Sequence, residues 1–204
     1  MLAIVDYGMG NLRSVRNAVA RLGFDSKVTG DPDEILSAGR LILPGVGSFR
    51  QAMENIHTRG LFNPLSTAVL ERGTPVLGIC LGMQLLAGFG HEDGGASGFG
   101  WISGEVVAIH FDDPSIRIPH VGFNSVWASS SRSRLFDSAA APSDFYFVHS
   151  FHFRCEDERD VSAWCDYHGH FVAGIEKDNV FGTQFHPEKS QANGLNVLDR
   201  FLRI

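Results

Sequence analysis

Three side chains in this sequence have the types and settings for nucleophilic acyl transfer: Cys80, His186 and Glu188. In PVLGICLGMQLL, residues 75–86, an apolar strand pattern runs straight into a helical one. Cys80 stands at the junction, with Gly78 and Gly82 two residues to either side. G-x-C-x-G has the form of a nucleophile elbow, better known with serine. A turn that tight needs small neighbours. It projects the sulfur at the carboxyl edge of a sheet, where α/β folds bind ligands. It also sets the sulfur at a helix N-terminus, whose free N–H groups favour a thiolate. The amide of Leu81 then points to where an oxyanion forms. The pentapeptide alone supports two readings equally. Cys80 is a nucleophile, or it is the small buried hydrophobe that most free cysteines are.

A cysteine nucleophile calls for a base. In GTQFHPEKS, residues 182–190, His186 follows an apolar strand, and Pro187 disfavours helical backbone at His186. Glu188 can accept from the second ring nitrogen and fix the tautomer. Cys, His and Glu then form a triad of nucleophile, base and orienter. Taken alone, H-P-E reads first as a solvated turn. A third piece, LPGVGSF (43–49), follows the apolar run RLIL and carries Gly45 and Gly47. Its backbone can approach a ligand closely, and one of its N–H groups could be a second oxyanion donor. In isolation it is a plain turn between strand and helix.

These pieces need a scaffold. Residues 2–6, 24–29, 40–45 and 75–80 read as strands, separated by helical patterns at 11–22, 48–57 and 61–72. Such alternation implies a mostly parallel central sheet with helices on both faces. The second half differs. Residues 105–110, 121–127, 145–151, 161–167, 170–176 and 179–185 read as strands with few helices between them, so antiparallel pairing is expected. A last helix spans roughly 193–202, and 90–100 and 129–134 are loops by composition. One α/β domain over residues 1–204 is the simplest account.

Composition narrows the class. Hydrophobic residues make up 44% and charged residues 20%, an ordinary globular profile. No apolar run is long enough to span a bilayer. The N-terminus reads as a strand rather than a signal peptide, which makes the cytoplasm the expected location. Three cysteines, with no CxxC pair, argue against a disulfide framework or a structural zinc site. Packing is the default for Cys155 and Cys165. The net charge of −6 disfavours nucleic acid as a partner. His168-Gly169-His170 reads as a hairpin turn rather than a metal site.

PGVGSF, GICLGMQLL and QFHPEKS together resemble the class I glutamine amidotransferase family. DYGMGNLRSV, PHVGFNSV (119–126) and YFVHSF (146–151) extend the likeness over essentially the whole chain. They place it near the branch whose subunits serve a histidine-pathway (β/α)8-barrel cyclase. The resemblance implies Cys80 as nucleophile, His186 as base and acid, and Glu188 as orienter. It implies Gly47 and Leu81 at the oxyanion, and Gly45, Gln84, His149, Ser150 and Phe151 at L-glutamine. No metal or organic cofactor is implied. Ammonia would pass to the cyclase through a protected channel. The docking face corresponds to Met9, Gly10, Asn11, His120, Phe123, Asn124 and Lys189. The sequence departs from the branch at Phe123, where tryptophan is usual, and at Phe151, where tyrosine is. A paralogue supplying a sugar-modifying barrel, or a stand-alone γ-glutamyl hydrolase, is the alternative.

Overall fold

The structure, a computed structural model, describes residues 1–111, 113, 116–129, 133–137 and 139–204. Residues 130–132 of the loop expected at 129–134 therefore lie outside the described residues.

The chain opens with β1 (Leu2–Val5), α1 (Leu12–Arg21), β2 (Ser26–Thr29), α2 (Pro32–Ser37), β3 (Arg40–Gly45) and α3 (Phe49–Thr58). α4 (Phe62–Ser66) runs on through a wider π turn to Glu71 and leads to β4 (Val76–Cys80) and α5 (Leu81–Gln84). Short strand β5 (Phe89–Gly90) runs into the stretch 90–100 expected to be loop, and β6 (Ala96–Ser97) lies inside it. β7 (Gly104–Ala108), β8 (His120–Ala128), β9 (Ser143–His149), β10 (Phe151–Cys155), β11 (Val161–Asp166), β12 (His170–Lys177), β13 (Val180–Thr183) and α6 (Gln191–Leu202) follow.

Nine strands form one sheet in the order β2-β1-β3-β4-β13-β12-β11-β8-β9. The pairings from β2 through β13 are parallel, and those from β13 to β9 are antiparallel. Both faces are buried, so β1 is apolar throughout. Leu2 and Ile4 join the core on one side, and Ala3 and Val5 the core on the other. α1 turns Val15, Ala18 and Val19 inward at i, i+3 and i+4. A smaller sheet, β10-β7-β5-β6, caps one end.

Two departures from the sequence reading matter for function. The single strand expected over 145–151 is two, broken at Ser150, because β9 pairs with β8 in the large sheet and β10 with β7 in the small one. The helix expected from LGMQLL is one turn, Leu81–Gln84. The last strand, β13, inserts parallel beside β4, with Gly182 opposite Gly78 and Thr183 opposite Ile79. The segment after β13 is thereby delivered to the edge where Cys80 sits.

Candidate active site

Cys80 ends β4 with φ +55° and ψ −111°, a region that non-glycine residues enter only under strain. Its flanking glycines are required by contact. A Cβ on Gly78 would lie 2.6 Å from the Gly82 carbonyl oxygen, and one on Gly82 would lie 1.7 Å from the Leu43 carbonyl oxygen. The elbow therefore closes only with both side chains absent. The strain holds the sulfur in place, 3.8 Å from Gln184 Nε2 and 3.9 Å from the Val148 carbonyl oxygen.

His186 follows β13, with its N–H donated to the Tyr146 carbonyl and its own carbonyl accepting from Ser190 Oγ at 2.6 Å. Its Nδ1 lies 2.9 Å from Glu188 Oε1, and both side chains are almost wholly out of water. Nε2 is buried and makes no hydrogen bond among the described residues. The Cys80 sulfur is nonetheless near enough to act on the ring. Burial pushes the imidazolium down, but interactions with Cys80 and Glu188 outweigh it and hold the pKa at about 9. The other cysteines are chemically quiet. Burial first, then nearby aspartates, push Cys155 and Cys165 up to about 12.

Beside Cys80 opens a cavity of about 360 Å³, within the usual range for small-molecule sites. Gly47, Leu81, Gln84, His149, Ser150 and Phe151 all line it. Gly47 has φ +112°, and a Cβ there would strike Met9 Cε at 2.5 Å, so the glycine loop touches the Met9 turn. Gly45 is placed differently. It does not line the cavity but pairs with Cys80 in the β3–β4 ladder, and its missing Cβ makes room for the Tyr7 hydroxyl and the start of α5.

Three residues of the site were missed by sequence reasoning. Glu92 lines the cavity and accepts the Phe49 amide at 2.7 Å, with burial pushing its carboxyl pKa up. No motif marks it inside GHEDGG. Gln184 accepts from Gln84 Nε2 at 3.1 Å, and only its place just before F-H-P hinted at a role. Tyr7 is fully buried, and its hydroxyl makes no hydrogen bond among the described residues.

Val46, which lines the cavity, and Ile118, Val121 and Phe123, just before and on β8, are exposed apolar side chains, and Phe123 meets the Tyr146 ring edge-on at 5.5 Å. Lys189 Nζ stands 5.7 Å from the same tyrosine ring, while Met9, Gly10 and Asn11 are half-exposed. His120 and Asn124 sit on the inner side of the same strand as Phe123. Among the described residues no group of three or more His, Cys, Asp or Glu is placed to hold a metal ion, and no helix is long and apolar enough to cross a membrane. His168 and Gly169 form the β11–β12 hairpin turn, with Asp166 paired to His170.

A cysteine on a strained strand–helix elbow, backed by a buried His–Glu pair in an α/β sheet, defines an amidohydrolase of the cysteine type. The chain belongs to the class-I glutamine amidotransferase family, whose sequence profile matches residues 3–204. Its full-length relatives include imidazole glycerol phosphate synthase subunits HisH. HisH 2 of Methanococcus maripaludis is 42% identical over 203 residues, covering 100% of this chain and 99% of that one. HisH 1 of Campylobacter jejuni strain RM1221 is 45% identical over 204 residues, covering 100% of both. Among solved structures, a glutamine amidotransferase superposes with a TM-score of 0.76 at 18% identity, covering 98% of this chain and 97% of that one. PurLQS from Thermotoga maritima superposes at 0.74 and 20% identity, covering 99% and 97%. At that identity the structural likeness speaks for the fold.

Proposed function

We propose that this chain is the glutaminase subunit of a cytoplasmic imidazole glycerol phosphate synthase, releasing ammonia from L-glutamine for a (β/α)8-barrel cyclase partner. The observation that carries the chemistry is the buried His186–Glu188 pair, whose ring interacts with Cys80, the thiol that lines the cavity. The full-length identity to HisH subunits carries the choice of pathway.

The Cys80 thiolate attacks the side-chain amide carbon of glutamine. The carbonyl π electrons move onto oxygen, and the amides of Leu81 and the Gly47 loop stabilise that oxyanion. Each such donor is worth about 10²–10³ in rate. The His186 imidazolium, oriented by Glu188, gives its Nε2 proton to the departing nitrogen. The C–N bond breaks, leaving ammonia and a γ-glutamyl thioester. Neutral His186 then takes a proton from water, whose oxygen attacks the thioester carbon. The C–S bond breaks, glutamate leaves, and Cys80 regains its starting state.

At the other end of the substrate, Glu92 and the Gln84 oxygen suit the α-ammonium, and the backbone of His149, Ser150 and Phe151 suits the α-carboxylate. Val46 at the cavity, with Ile118, Val121 and Phe123 just before and on β8, gives exposed apolar surface suited to docking the barrel. A sealed mouth also suits the product, since ammonia in neutral water is mostly ammonium and not nucleophilic.

The test is glutamate release by the purified chain, alone and with a histidine-pathway cyclase subunit and its nucleotide ligand, with Cys80→Ala as control. A partner-dependent rise that Cys80→Ala abolishes is expected. High activity without the partner would instead mark a stand-alone hydrolase.

A further inference from the structure

Strand β8 has two faces with different chemistry. Val121 and Phe123 point outward, 55% and 49% exposed. His120, Gly122 and Asn124 alternate with them and point inward. His120 is 1% exposed and stacks between Phe147 and Tyr167, with ring centroids 4.8 and 4.0 Å away. Asn124, four residues on along the same face, brings its side-chain amide 2.8 Å from His120 Nε2.

From His120 the contacts continue inward. His120 Nδ1 lies 3.0 Å from Nε2 of His149, its direct partner across the β8–β9 ladder. His149 Nδ1 lies 2.8 Å from the Phe151 carbonyl oxygen. That oxygen also accepts from Gln84 Nε2 at 2.9 Å, and Gln84 Nε2 makes a second bond to Gln184 Oε1. Gln184 Nε2 in turn faces the Cys80 sulfur.

The end of this chain fixes its direction. A carbonyl oxygen only accepts, so His149 must carry its hydrogen on Nδ1. Its Nε2 is then an acceptor, which places a hydrogen on His120 Nδ1. His120 Nε2 accepts in turn, from the amide nitrogen of Asn124. Both rings are neutral in this arrangement, and burial favours that by pushing His120 down to about 4 and His149 to about 3. With both amide hydrogens committed, Gln84 offers its oxygen to the cavity. We propose that Asn124, His120 and His149 are positioning residues for glutamine, a hydrogen-bond relay of one polarity joining the docking face to the substrate pocket. The proposal rests on the glutaminase reading for its substrate, and on hydrogen-bond geometry for the relay itself. Val121 and Phe123 share a strand with His120 and Asn124, so the relay begins directly behind the proposed docking face.

Asn124→Asp is the decisive variant, because it has the shape of asparagine and cannot donate. It forces a second proton onto His120 or reverses the relay against the Phe151 carbonyl. Asn124→Ala removes the outer donor and leaves the polarity intact. With the barrel partner saturating, Asn124→Asp is expected to raise the KM for glutamine by about tenfold with kcat little changed, and Asn124→Ala by less than about threefold. A residue that merely packs would give the opposite order. Histidine ¹⁵N NMR of the wild-type protein provides a readout independent of activity, with both rings expected as the Nδ1–H tautomer. An Nε2–H tautomer at His120, or an Ala variant as impaired as Asp, overturns the relay. A wild-type complex that releases no glutamate overturns the glutaminase reading, while the tautomers still report on the relay.

Discussion

The Cβ that Gly82 lacks would stand 1.7 Å from the carbonyl oxygen of Leu43. The obstacle is backbone of the neighbouring strand, which cannot swing aside. Gly82→Ala must therefore push α5 off β3 and open the elbow that presents Cys80. We expect a loss of about 3 kcal/mol or more, or no soluble protein, by chemical denaturation. Gly39→Ala is the control. Its Cβ would meet nothing nearer than 3.7 Å, so its midpoint should stay close to that of the wild type.

Glu188→Gln keeps the shape of the orienter and removes its charge. Burial opposes the His186 imidazolium, and the interactions with Cys80 and Glu188 hold its pKa at about 9. Removing one support must lower it. In the proposed chemistry the imidazolium delivers the proton to ammonia, so activity falls as pH rises through this pKa. The alkaline limb of the kcat profile should shift to lower pH, and kcat should fall by about 10⁴. A variant with an unmoved alkaline limb would remove Glu188 from the triad.

The sequence made the chemistry more legible than the scaffold that assembles it. G-x-C-x-G left Cys80 open between nucleophile and packing until the other motifs joined it, although only glycine tolerates the contacts at Gly78 and Gly82. The apolar runs announced β1, β3 and β4 because a sheet buried on both faces needs no alternation. What stayed hidden is non-local. Nothing in NVFGTQF says that this strand inserts parallel beside β4, yet that placement is what brings His186 to Cys80. Glu92 is anonymous because its role comes from a loop folding back onto the Phe49 amide. α2 could have been read. Asp31 before Pro32 caps it, accepting the Asp33 and Glu34 amides, which is a helix-start pattern written in the sequence.

Acid should destabilise this protein earlier than its carboxylates alone would dictate. His120 and His149 are held neutral at about 4 and about 3 in the fold, while in the unfolded chain they titrate near 6.5. Below pH 6.5 the unfolded state binds protons that the folded state refuses, so stability falls as pH falls through that window. The His149 contribution alone is about 2 kcal/mol at pH 5. His186 has the opposite sign, since its raised pKa stabilises the fold below pH 6.5 and that support is lost as pH rises through about 9. Urea midpoints at pH 5, 7 and 9.5 should peak at the middle value. His120→Gln should flatten the acid side.

Val121→Glu tests the docking face without touching the pocket. The residue is 55% exposed and packs into neither core, so the thermal midpoint should stay within about 2 °C of wild type. A carboxylate buried without a partner at an apolar interface is costly. Affinity for the cyclase subunit should fall by about thirtyfold or more. Partner-stimulated glutamate release should fall in parallel at subsaturating partner and recover when the partner is raised. A variant that binds as tightly as wild type would move the docking face elsewhere.

Glu92 gives the most direct test of which way round glutamine lies. Its carboxylate lines the cavity, and one oxygen is already held by the Phe49 amide. The remaining oxygen suits the substrate's α-ammonium. Glu92→Gln preserves the shape and the contact to Phe49 and removes only the charge. KM for glutamine should rise by about 10- to 100-fold while kcat holds, because the lost interaction is made equally in ground and transition states. A glutamine analogue lacking the α-amino group separates this from general damage. Wild type should discriminate strongly against it in kcat/KM, and Glu92→Gln should discriminate weakly, since the charge pair the analogue loses is already absent from the variant. Equal discrimination in the two proteins would place the α-ammonium elsewhere in the cavity and leave Glu92 as the residue that pins α3.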